Sequence, residues 1–104
     1  LSKTNTINTD RKIIKILGKT YSVEQVQQSP LKINETYSGL IEYSTQTIYI
    51  DKDIPRENKE ETLLHECIHG IDYHLALGLS EKQVVRLSTA IYQLINENDI
   101  TFNV

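Results

Sequence analysis

The chain has a single cysteine, Cys67, so no disulfide can form within it, and it fits a reducing compartment. It has no apolar run long enough to span a bilayer. It has no excess of basic residues either: the formal net charge is −3, which argues against gripping nucleic acid directly and in favour of protein or peptide partners. The first ten residues, Leu1 to Asp10, are polar and lack the apolar centre of a signal peptide. They read as a flexible arm on a cytoplasmic protein, with residues 11–104 as one domain. No internal repeat or low-complexity segment is present. With 104 residues, there is room for one modest core but not for a separate recognition domain, so function has to share the scaffold.

What is there centres on Thr62-Leu63-Leu64-His65-Glu66-Cys67-Ile68-His69-Gly70, a His-Glu-x-x-His pattern inside a run that reads as helix. At about 3.6 residues per turn, His65 and His69 lie one turn apart on one face and can share a cation while their backbones stay hydrogen-bonded. Glu66 points roughly 100° away at this spacing, the place of a general base rather than a ligand. Leu64, Ile68, Ile71 and Leu75 fall on a neighbouring stripe, the expected buried seam. Cys67 points away from the histidines and reads as a small buried filler.

Around this stretch the pattern predicts an α+β fold, a small antiparallel sheet of hairpins followed by two packed helices. Arg11–Leu17 and Thr20–Val23 nearly alternate about Gly18, a hairpin. Glu24 to Ser29 is ambiguous, and Pro30 closes it. Tyr37–Glu42 and Gln46–Asp51 form a second hairpin, with Ile48 and Ile50 facing the core. The motif helix is expected from about Pro55 to about Leu77, ended by Gly78 in a left-handed cap. Ser80 with Gln83 can open the next helix as a capping box. That helix would bury Val84, Leu87, Ile91, Leu94 and Ile95, with Glu81, Ser88 and Tyr92 along its flank. Phe102 reads as an anchor for the tail.

A hydrolytic zinc takes three protein ligands, so a third must join the two histidines. Asp72 shares their helix and suits hydrogen bonding to an imidazole better than ligation. His74 is rotated away, and Glu97 and Asp99 sit at a fraying end. Glu81 opens the adjacent helix and can approach from a different direction, as tetrahedral geometry asks.

These residues resemble the ImmA/IrrE-like metallopeptidases, small gluzincin-type proteins common on phages and other mobile elements. The resemblance runs from Tyr37 onward and rests on the strand Gln46–Asp51, the His65–His69 motif and a helix opening Glu81-Lys82-Gln83-Val84. The chain departs from the family pattern at Val84 and Val85, and its link from motif to Glu81 is shorter. The resemblance implies a zinc endopeptidase that cleaves a cytoplasmic regulatory protein of repressor type. Zn2+ would be held by His65, His69 and Glu81, with Glu66 as base and Tyr92 or His74 steadying the oxyanion. An edge strand, Thr47 to Ile50, would align the peptide. The alternative is an inactive protein of the same fold that acts by binding a phage or host regulator.

Overall fold

A computed structural model of the chain describes residues 11–27, 38–100 and 102. The arm expected over residues 1–10, and the stretch around Pro30, lie outside the described residues. Four strands, β1 (Arg11–Ile16), β2 (Lys19–Val26), β3 (Gly39–Glu42) and β4 (Thr47–Asp51), precede two helices, α1 (Arg56–Leu75) and α2 (Glu81–Glu97). The fold is α+β.

β1 and β2 form an antiparallel hairpin whose turn places Leu17 and Gly18 at φ 52° and 82°. Two consecutive positive φ values match the right-handed twist of the strands, and Gly18 supplies one without steric cost. The ambiguous Glu24 and Gln25 continue β2 as strand. β3 and β4 form the second hairpin.

The order β1-β2-β4-β3 joins the hairpins through β2 and β4, which run parallel, so the sheet is mixed rather than wholly antiparallel. This also moves the expected edge. Thr47 to Ile50 belongs to interior strand β4, where Thr47, Ile48, Ile50 and Asp51 are all buried, and the edge on this side is β3. Alternation within each hairpin says nothing about which strand of one meets which strand of the other.

Ile16, Tyr21, Val23, Ile48, Ile50 and Cys67 form the core, with Ile14, Ile41, Tyr43 and Leu63 packed at its margin. α1 therefore meets the sheet through Leu63 and Cys67 rather than through the Leu64/Ile71/Leu75 stripe. Ile68 is buried, but Leu75 is 54 % exposed. The cause is that α1 lies between two partners. Glu61, His65, His69 and Asp72 reach α2 or the link before it, and by helical spacing they and Ile68 lie opposite the sheet-facing Leu63, Cys67 and His74. The face left open carries Ile71 and Leu75.

α1 stops two residues earlier than expected. Ala76, not Gly78, takes the left-handed cap at φ 53°, with Gly78 at φ 76° further along the link. The capping box at α2 is formed: Gln83 N–H donates to Ser80 Oγ, and Ser80 N–H donates to Gln83 Oε1. Val84 and Ser88 are the buried positions of α2, while Leu87, Leu94 and Ile95 of its expected seam are exposed. Phe102 is 90 % exposed and packs into no core among the described residues. Among the described residues no helix is long and apolar enough to cross a membrane.

Candidate metal centre

One turn of α1 sets His65 Nε2 and His69 Nε2 3.2 Å apart. Across from them, Glu81 Oε2 lies 3.1 Å from His65 Nε2, and Glu81 Oε1 lies 2.9 Å from His69 Nε2. One carboxylate thus touches both rings. The delivery of Glu81 follows from local chemistry. The capping box fixes the first turn of α2, and Asp72 Oδ1 accepts the Leu79 N–H at 2.9 Å, which folds the link back onto α1. Asp72 is therefore not the partner of an imidazole, as its helical face suggested, because the unpaired N–H in the link claims its carboxylate.

The donor set fits zinc. Ligand atoms around a tetrahedral ion with bonds of about 2.0–2.1 Å stand about 3.3 Å from one another, close to the 3.2 Å between the imidazole nitrogens, and with one Glu81 oxygen the three donor atoms lie within 4.8 Å. Two imidazole nitrogens at 3.2 Å cannot both direct lone pairs at each other without repulsion, so a cation or a proton has to sit among the three groups. Among the described residues, His65, His69 and Glu81 are the group of side chains able to share a metal. Burial holds His65 below the ordinary imidazole value, against the opposing pull of the Glu81 carboxylate. This keeps the ring neutral, the state that ligates.

Glu66 is buried behind this group. Burial, followed by the Glu81 charge, raises its carboxyl to about 7. What lies over it is β3 at Gly39. A Cβ on Gly39 would stand 2.5 Å from Thr62 Cγ2, 3.1 Å from the Tyr49 carbonyl and 3.3 Å from Glu66 Oε2, so only glycine lets the edge strand come this close.

Two cavities open beside these residues, and Gly39, His65, Glu66 and Glu81 line both. The larger, about 390 Å³, extends towards the start of α1 past Asn58 and Glu61. The smaller, about 220 Å³, extends along β3 past Leu40, Ile41 and Tyr43 to His69.

Neither expected oxyanion donor lines these cavities. Tyr92 donates its hydroxyl to Glu60 Oε1 at 2.6 Å and lines a different groove, with Ile14 and Leu63. It follows Glu81 by eleven residues, about 16 Å along a helix axis, and α2 leads it away towards the start of α1. His74 Nε2 pairs with the buried Tyr21 hydroxyl at 2.7 Å, on the sheet side of α1. Glu97 and Asp99 are exposed and take no part. The tyrosine that lines the smaller cavity is Tyr43 instead. Its ring stacks on Tyr73 with centroids 3.9 Å apart, and its OH donates to the His69 carbonyl at 3.3 Å. Burial, then the Glu66 charge, pushes this phenol up to about 12. In sequence Tyr43 sits in a hairpin loop, and nothing local marks it.

Comparison with family models, curated proteins and solved structures finds no match for the chain.

Proposed function

We propose that this chain is a zinc-dependent endopeptidase acting on a protein substrate. The observation that carries this reading is the convergence of His65, His69 and Glu81 with a buried Glu66 beside them, all opening onto cavities along an edge strand. His65, His69 and Glu81 would hold the metal, which when bound supplies a Lewis acid and a water of lowered pKa.

The rest falls to the chain's own groups. Glu66, a buried carboxylate beside the three donors, can take a proton from the water and return it to the leaving amine. β3 is four residues long and among the described residues pairs only with β4, so its outward N–H and C=O groups could pair with an extended peptide beside Glu66. For the oxyanion, where the resemblance suggested Tyr92 or His74, the nearer candidate is Tyr43, which lines the smaller cavity with Glu66 and would have to turn its hydroxyl from the His69 carbonyl. From the resemblance to ImmA/IrrE-like metallopeptidases we take the substrate class, a cytoplasmic regulatory protein of repressor type.

The test joins metal content to turnover. Purified protein should carry about one zinc per chain and cleave a co-encoded regulator. Glu66→Gln should keep the zinc and lose the cleavage. A wild type free of transition metal, prepared without chelators, would refute the proposal. Full biological activity in Glu66→Gln would instead make the protein a binder of its regulator.

A further inference from the structure

We propose that Glu61 selects a peptide carrying lysine or arginine next to the scissile bond, with an apolar residue on the bond's other side. This rests on the peptidase reading and names the substrate class of that site. Glu61 precedes His65 by one helical turn, about 6 Å along the axis, so both look out from the same face of α1. It lines the larger cavity together with the neutral Ser38, Asn58 and Thr62, and among the described residues no lysine or arginine lines that cavity. Glu81 also lines it, but its two oxygens are taken up by His65 and His69. Glu66 is buried and placed as the base. Among the described residues Glu61 is therefore the carboxylate in this cavity that the metal centre leaves available.

Its position is set. Thr89 Oγ1 on α2 donates to Glu61 Oε2 at 2.9 Å, which anchors one of the two oxygens of a residue on the cavity wall. A half-buried carboxylate held by packing recognises a cation better than a freely moving surface one, because less side-chain entropy is lost on pairing. On the other side of Glu66, Leu40, Ile41 and Tyr43 give the smaller cavity an apolar end beside the metal donors. A peptide laid along β3 across Glu66 would therefore direct one flanking side chain at Glu61 and the other at Leu40 and Ile41.

Blocked peptides pairing leucine with arginine in either order at their centre are the probes, with citrulline or glutamate replacing arginine in matched sets. Zinc-loaded wild type should cut the arginine peptide about fivefold or more faster than its citrulline counterpart, citrulline keeping the shape and losing the charge. In Glu61→Gln, which can still accept from Thr89, that ratio should fall towards one, and in Glu61→Lys the glutamate peptide should become the better substrate. A merely structural Glu61 would lower all rates alike and leave the ratios standing, which would overturn the proposal.

Binding of the same peptides to zinc-loaded Glu66→Gln, by calorimetry, gives a reading without turnover. There too arginine should bind more tightly than citrulline, and Glu61→Gln in that background should remove the difference. Cleavage with no preference for arginine would sink the specificity and leave the peptidase standing. An arginine preference in binding, with no peptide cut by wild type, would do the reverse. Peptides neither bound nor cut would end both.

Discussion

Glu81 and Asp72 are carboxylates close together in sequence, yet they hold different parts of the molecule. Glu81 faces both imidazoles, whereas Asp72 accepts the Leu79 N–H. Glu81→Ala should therefore weaken zinc by well over 100-fold, as removal of a ligand does, while Asp72→Asn keeps an acceptor for Leu79 and should change affinity little. Titration of each variant against a competing chelator checks this, and equal losses would contradict it. Glu66 should show itself in the metal-free protein. Its carboxyl rises from 4.5 to about 7 on folding, so within that window the folded state holds a proton that the unfolded chain gives up. Stability from this group thus falls as pH rises through the window. Glu66→Gln lacks the titration and should gain on the order of 2–3 kcal/mol relative to wild type between about pH 4.5 and pH 7.5. Melting curves of the two chelated proteins at both pH values measure it, and parallel pH dependences would count against a buried, protonated Glu66. At this scale the sequence speaks where the backbone fixes the spacing: His65, Glu66 and His69 follow from one helix, and Glu81 from a link too short to place it elsewhere. Tyr43 was not legible, because it reaches the cavity only through the packing of β3 and α1.

Among the elements, β3 carries the closest tolerance. Gly39→Ala would push a methyl into Thr62 and the Tyr49 carbonyl, and since the latter is backbone the strand itself must move. A loss of about 1–3 kcal/mol of stability is expected, together with a fall in any cleavage out of proportion to it, because Glu66 lies under the displaced strand. Thermal melting and cleavage rate of the one variant test both parts, and an unshifted melt would show that β3 is more loosely held. The hairpins were readable from alternation and turn residues, and the capping box at Ser80 from its own side chains. The parallel pairing of β2 with β4 was not, since it depends on contacts between segments distant in sequence. The buried face of α1 was misjudged for a related reason. An apolar stripe marks a single buried face, but α1 is covered on two, and its Leu63–Cys67 side, with few large apolar residues, is the one against the sheet.

In the whole molecule α1 is the middle layer, with the sheet on one side and α2 on the other. All three proposed metal donors come from the unbroken stretch His65 to Glu81, so the helical pair alone holds them, whereas Glu66 is completed by Gly39 on the far side of α1. Metal binding and chemistry therefore draw on chain segments of different reach. Bringing His65 and Glu81 together closes a short loop, at small entropic cost, while seating β3 over Glu66 requires the long-range pairing of the sheet. As urea is raised, peptide cleavage should fade at concentrations where a chromophoric chelator still draws no zinc from the protein, leaving a window of metal-bound but inactive molecules. Simultaneous loss of both would mean that the helical pair cannot outlast the sheet. If the window exists, a count of bound zinc overstates the number of working sites in any partly unfolded sample, and the integrity of the sheet is the measure of competence.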